Sequence, residues 1–222
     1  MCGRFTLRTP AKEIAQLFDV TVPDFDPRYN IAPSQDVAAV RFSPEKEKRE
    51  FVFLQWNLVP FWADEPKTKY SLINARAETV AEKRSFREAF RKRRCLILAD
   101  GFYEWQKRDG KKQPYFMHMK DDRPFAFAGL WEHWHGDDEE LESCTIIVTE
   151  ANELLKPIHD RMPVILDTDD YDLWLDPKLG DKQRLQELLR PYSSEEMEAY
   201  PVSTLVNKPQ NDMEKCVKPV EE

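Results

Sequence analysis

The sequence predicts an α+β fold in one domain, on three observations. Apolar–polar alternation recurs in strand-length segments that follow one another without regular intervening helices, which disfavours a wound parallel sheet and points to mainly antiparallel pairing. No internal repeat and no linker divides the chain into two cores, and 222 residues is close to the usual size of one domain. The apolar fraction of 41%, with 13 Phe, 7 Tyr and 6 Trp, is ample to fill one core.

In chain order, Thr9-Pro10 predicts a helix start, with a capping hydroxyl and Pro at the first helical position, and Ile14, Leu17 and Phe18 supply the apolar face. Residues 21–35 read as irregular. Val37–Phe42 and Phe51–Trp56 read as strands, and residues 57–70 as a loop holding Pro60-Phe61-Trp62. Glu78–Arg93 is helical by pattern, with Val80, Phe86 and Phe90 inward and the basic residues outward. Strands follow at Cys95–Leu98, Phe102–Trp105, Tyr115–Met119, Phe125–Leu130 and Thr145–Thr149, with Asp109-Gly110 as a turn and Gly136–Glu142 as a mobile acidic loop. A short helix is expected at Asn152–Leu155, an extended run at Ile158–Leu166, helices at Asp169–Leu175 and Lys182–Leu189, and a strand at Ala199–Ser203. The domain is expected to span residues 1–207, with 208–222 as a loosely ordered tail.

No apolar run is long enough for a membrane span, and no signal-peptide apolar region is present, so a cytoplasmic protein is expected, nucleoid-associated if bacterial. The four cysteines, Cys2, Cys95, Cys144 and Cys216, are scattered without a CxxC pair. Free thiols are therefore expected, with no metal and no cofactor. The net charge of −8 is divided unevenly: residues 1–120 sum to +7 and residues 121–222 to −15. The densest basic run, Lys83 to Arg94, holds seven Lys and Arg against Glu88 alone. It reads either as a polyanion-binding face or as a solvated helix face.

The candidate chemistry starts at Met1-Cys2-Gly3-Arg4. Removal of Met1 is expected because the side chain of Cys2 is small, and it would leave a free α-amine and a thiol on adjacent carbons. Such an aminothiol condenses with an aldehyde to an imine, and the thiol then closes a five-membered ring on the same carbon. Ordinary pKa values of about 8 for the amine and about 8.5 for the thiol leave both usable near neutrality. Ring closure is intramolecular, with effective molarities that reach about 10⁵ M or more for well-oriented groups. The competing reading is an ordinary cysteine after a start codon.

Three further segments place polar groups on strand-like stretches. In Asn74-Ala75-Arg76, extended backbone puts an amide and a guanidinium on one face; the alternative is a turn asparagine. In Asp100-Gly101-Phe102-Tyr103-Glu104-Trp105, alternation sets Glu104 beside Phe102 and opposite Tyr103 and Trp105. A carboxyl among aromatics would have its pKa raised into the range useful for acid–base work, unless this is an edge strand with Glu104 in water. In His159-Asp160-Arg161-Met162-Pro163, alternation aligns His159 with Arg161, a proton carrier beside a phosphate-binding group. His118, His133 and His135 have no comparable setting in the sequence.

Together and in order, these segments resemble the SRAP family, named for an SOS-response-associated peptidase. The resemblance extends through Arg28 to Pro33, Trp56 to Trp62, Arg94-Cys95-Leu96, Ala128 to Trp131, Val202-Ser203 and Val206-Asn207, nearly the whole chain. Asn57 departs from a usual glycine and Leu98 from a usual proline, which puts local loop shape in question rather than chemistry. The resemblance implies a barrel-like β core flanked by short helices. It also implies a monomeric sensor of abasic sites in single-stranded DNA, which captures the ring-opened sugar as a thiazolidine. In that reading Cys2 supplies both nucleophiles and Asn74 orients the sugar oxygen. Glu104 is the acid–base group, and His159 assists proton transfer, including slow reversal. Arg76 and Arg161 clamp phosphates, with Arg4 and Arg84 in support, while Pro60, Phe61, Trp62 and Trp105 contact bases. Two other readings remain at this stage: a thiol autopeptidase that removes residues ahead of Cys2, and a non-covalent single-stranded DNA binder.

Overall fold

A computed structural model of the chain describes residues 2–66, 71–108, 110–137 and 139–220. In chain order the elements are β1 (Phe5–Leu7), α1 (Ala11–Phe18), β2 (Arg28–Ile31), β3 (Asp36–Ser43), β4 (Lys48–Trp56), β5 (Asn74–Arg76), α2 (Arg87–Lys92), β6 (Arg94–Ala99), β7 (Gly101–Arg108), β8 (Lys111–Met119), β9 (Phe125–His135), β10 (Glu140–Glu150), β11 (Arg161–Pro163), β12 (Ile165–Leu166), α3 (Tyr171–Leu175), α4 (Lys182–Glu187) and β13 (Met197–Pro201). The α+β expectation holds.

Five strands close on themselves: β4 pairs β3, β3 pairs β6, β6 pairs β9 and β9 pairs β10, all antiparallel, and β10 returns to β4 in parallel. This closure removes sheet edges and makes the barrel. β6 is buried along its whole length, as its unbroken apolar run Cys95–Leu98 requires. At Gly129 on β9 an added Cβ would stand 2.8 Å from Cys95 Sγ and from Ile97, so no larger residue fits between neighbouring strands there.

A second sheet, in the order β13-β8-β7-β1-β2, lies against the barrel. Its Phe5 ring packs on Trp56 and Phe127, with centroids 5.1 and 5.6 Å away, and Phe102 packs on Phe127 at 6.0 Å. Its other face carries Tyr103 and Phe116, which are covered by Val202, Val206, Cys216 and Val217. The tail beyond residue 207 is therefore not loose as far as Val220. Asp212 Oδ1 accepts from the backbone N–H groups of Tyr29 (2.5 Å) and Asn30 (3.0 Å), and the buried Asn30 amide donates to the carbonyls of Val206, Lys208 and Asn211. These bonds pair groups far apart in sequence, so nothing local announced them.

Other expectations shift for physical reasons. Thr9 does not cap α1: its hydroxyl donates to Asp100 Oδ2 (3.0 Å), and Pro10 occupies the cap position. Leu17 is 36% exposed, leaving Ile14 and Phe18 as the buried face. The stretch 78–86 forms successive turns, and only Arg87–Lys92 is α-helix. Residues 152–155 are likewise a turn, whereas β2 is a strand inside the stretch 21–35 that reads as irregular, and β1 is a strand beyond those expected. Glu140–Glu142, expected in a mobile loop, extends β10. The Asp109-Gly110 turn falls partly outside the described residues. Asn57, the departure from glycine, has its own use: its Oδ1 accepts the N–H of Leu72 at 2.8 Å and closes the loop between. Leu98 is fully buried in β6, paired with Ala126.

Asp100 ties the N-terminal strand to the rest. Its buried carboxylate accepts from Thr6 Oγ1 (2.6 Å), Thr9 N (2.8 Å), Thr9 Oγ1 (3.0 Å), Arg8 Nε (3.0 Å) and the Arg8 N–H. Next to it, a Cβ on Gly101 would overlap the ring of Phe116 and reach within 3.0 Å of Thr6 Oγ1. Asp100→Ala is expected to lower unfolding free energy by about 2–4 kcal/mol, because several buried donors lose a charged acceptor together. Urea denaturation of the two proteins checks this. A change within about 0.5 kcal/mol would show that Asp100 is not what anchors β1.

Candidate active site and nucleic-acid interface

Cys2 lies just before β1 and is fully buried. Strand β1 runs antiparallel to β7, with Phe5 opposite Phe102 and the N–H of Tyr103 bonded to Arg4 O at 3.0 Å. This register delivers Cys2 towards Glu104, which is 3% exposed and on the same side of β7 as Phe102. The edge-strand reading of Glu104 is therefore excluded. From the barrel side, β5 lies parallel to β10, and the Asn74 side-chain amide donates to Cys2 O at 2.7 Å. Asn74 Oδ1 is buried with no hydrogen-bond partner among the described residues. Three segments remote in sequence thus meet at one point.

Burial pushes the Cys2 thiol well above its ordinary pKa, and the charge of Glu104 pushes in the same direction. The thiol is therefore neutral at pH 7. Because the folded-state value is raised, this group's contribution to stability is full below the ordinary thiol pKa of about 8.5 and is lost as pH rises above it. Alkylation by iodoacetamide at pH 8 is expected to be at least about tenfold slower at Cys2 in the folded protein than in denaturant. Peptide mass spectrometry reads the difference; equal rates would mean that the thiol is neither buried nor suppressed.

His159 is half-buried after the 152–158 turns. Its Nδ1 lies 3.0 Å from both the Arg161 N–H and Asp160 Oδ1. Nδ1 accepts from the backbone N–H of Arg161 there. Gln106 Nε2 donates to Pro157 O at 2.9 Å, tying this segment to the strand that carries Glu104.

The predicted phosphate and base contacts fare unevenly. Arg76 is exposed, two residues along β5 from Asn74 and so on the same face. Arg161 is not a free fork: it pairs with Glu78, whose pKa burial alone would raise but which this bond and charge lower. Arg4 is half-buried; burial lowers its pKa while Tyr103 opposes the shift, and its Nε and Nη1 lack hydrogen-bond partners among the described residues. Arg4 also lines an open pocket of about 270 Å³ with Trp105, Lys112 and Asn207, where Trp105 Nε1 donates to Asn207 Oδ1 at 2.7 Å. Phe61 and Trp62 are 51% and 38% exposed, but Pro60 is buried and offers no face for a base. Arg84 lies 4.0 Å over the Trp62 ring and Arg93 5.6 Å over Phe61.

Arg94, counted in the basic run, belongs to the interior. It is 4% exposed, with Nε donating to Trp174 O (2.6 Å) and Nη1 to Phe90 O (2.8 Å), and burial lowers its pKa to about 10. Arg93 is held by the buried Glu132 at 2.8 Å. The anion-facing part of the run is smaller than composition suggested. Sequence reasoning also missed Asp100 as the group that anchors the strand following Cys2; the signal was an aspartate directly after the apolar run Cys95–Ala99.

The structure is thus a small closed barrel in which a buried cysteine, a buried carboxylate and a half-buried asparagine converge beside exposed arginines and aromatics. The model of the SOS response associated peptidase (SRAP) family matches residues 1–209, and the chain belongs to that family. Among relatives, the abasic site processing protein YoqW of Bacillus subtilis is 45% identical over 218 residues, covering 96% of each chain. The abasic site processing protein HMCES of Gallus gallus is 33% identical over 228 residues, covering 89% of this chain and 67% of that one. A crystal structure of a protein from Bacteroides thetaiotaomicron superposes with a TM-score of 0.88 at 30% identity, covering 99% of this chain and all of that one.

Proposed function

We propose that this protein captures abasic sites in single-stranded DNA as a covalent thiazolidine on Cys2, formed once Met1 is removed. The convergence of Cys2, Asn74 and Glu104 carries the reading, and relatives named for abasic site processing support it. The α-amine of Cys2 attacks the sugar aldehyde. The Glu104 carboxylate takes the proton of the α-ammonium to free the amine, then gives it to the departing hydroxyl, so that water leaves and the protonated imine forms. The neutral thiol then adds to the carbon of this iminium, its proton passing to the Glu104 carboxylate while the C=N electron pair returns to nitrogen, which becomes the ring amine. The balance is one water lost, with one C–N and one C–S bond on the former aldehyde carbon. Ring closure removes the imine whose β-elimination would otherwise cut the strand.

Asn74, already bonded to the Cys2 carbonyl, keeps its Oδ1, which has no partner among the described residues, for the ring-opened sugar's hydroxyl. His159 moves a proton at the sugar oxygen, in capture and in slow reversal. Arg76 and Arg4 hold phosphates, as does Arg161 when phosphate displaces Glu78; Phe61 and Trp62, with Arg84 behind Trp62, stack on unpaired bases. That exposed π surface suits a single strand, whose bases are free to stack.

The test is a denaturing gel with an oligonucleotide carrying one abasic site. A heat-stable shifted band that disappears with Cys2→Ala is expected. A filter-binding signal with no shifted band would leave a non-covalent binder instead, and removal of an added N-terminal extension without any adduct would leave a peptidase.

A further inference from the structure

We propose a second site, unrelated to Cys2, at the end of the β9–β10 hairpin: His133, His135 and Glu140 form a surface site for a borderline divalent cation, with Zn²⁺ the best match. His133 and His135 are two residues apart on β9 and share its outer face, while Trp134 between them points inward and is 5% exposed. Glu140 is the cross-strand neighbour of His135. Its two oxygens face one imidazole each, with Oε2 3.3 Å from His133 Nε2 and Oε1 3.1 Å from His135 Nδ1. One donor atom from each of the three side chains lies within 4.8 Å of the others.

Two imidazoles and a carboxylate are a common donor set of open zinc sites, with ligand distances of about 2.0–2.2 Å. Donors in a tetrahedral shell at that distance are about 3.3–3.5 Å apart, so small side-chain rotations close the set. The imidazole rings have centroids 3.9 Å apart. Glu142, opposite His133, is not a further donor, because it is committed to Arg41 at 2.6 Å. Among the described residues the group holds these three donors, which leaves a fourth position to water.

The backbone under the site is fixed. Trp134 Nε1 donates to Ala63 O at 2.7 Å, and Ser143 Oγ on the paired strand accepts from Val59 N at 2.8 Å. A bound cation would thus brace the hairpin against which the loop bearing Phe61 and Trp62 rests.

The experiment is a Zn²⁺ titration of the full chain by calorimetry, in wild type and in Cys2→Ala, where no N-terminal aminothiol can compete for metal. One equivalent is expected to bind both proteins with a Kd of about 1–10 μM and to raise Tm. His133→Gln/His135→Gln should weaken binding by at least about thirtyfold and cancel the Tm rise, and Glu140→Gln should weaken it less. Co²⁺ should give a tetrahedral visible absorption in Cys2→Ala that the double variant lacks. Unchanged Zn²⁺ affinity in a folded double variant, or no binding below about 1 mM in the parent, would show ordinary histidine–carboxylate pairs and overturn the site.

Discussion

A chain whose Cys2 α-amine is acetylated, or covered by a tag that is not removed, is expected to form no covalent adduct with abasic DNA while its non-covalent affinity changes less than about threefold. The loss should exceed about 100-fold in rate, because the amine makes the first bond and nothing else near Cys2 replaces it. Cys2→Ser should behave differently. It keeps the amine and can form an imine, so a borohydride-trapped adduct persists while the heat-stable one is lost. The physical basis is the burial of the thiol: a neutral sulfur is a poor first nucleophile but closes a ring efficiently once the imine holds its carbon in place. An acetylated chain that still gives the heat-stable band would sink the mechanism.

The second large effect is expected at Glu104. Glu104→Gln preserves shape but cannot exchange a proton at the imine, so capture should slow by about 10²–10³-fold with little change in DNA affinity. Arg76→Ala should do the reverse, weakening binding and reducing the slope of log affinity against log salt by about one, with capture at saturating DNA nearly unchanged. Single-turnover rates measured at saturating and at limiting DNA separate the two. If both variants lose rate and affinity in the same proportion, the division between acid–base and phosphate roles is wrong. The substitutions differ because Glu104 is buried beside the nucleophile while Arg76 is exposed at the end of a three-residue strand.

Much of this was legible in the chain. Alternation placed Glu104 with Phe102 and against Tyr103, because a strand's period of two is local and does not depend on what it packs against. The position of Cys2 next to Met1, together with Asn74, Arg76 and His159 in their short segments, was likewise visible as residue types in order.

Burial and pairing were not legible, because they depend on partners more than a hundred residues away or across a sheet. Arg94 and Arg84 look alike in a basic run. One is sealed among backbone carbonyls beneath Trp174, and the other stacks on an exposed ring. Alternation read Arg161 as a phosphate fork beside His159, but Glu78, from another element, occupies it. The tail that composition marked as loose is held by Asp212 and Cys216, whose partners lie on β2 and behind β7. His133 and His135 had no setting in one dimension, since the carboxylate between them belongs to the paired strand. The sequence by itself determined which chemical groups are present and which side of each strand they occupy, as these follow from covalent order and backbone period. Only the tertiary structure decided which of them are dry, paired or convergent, because sheet register and barrel closure set those distances.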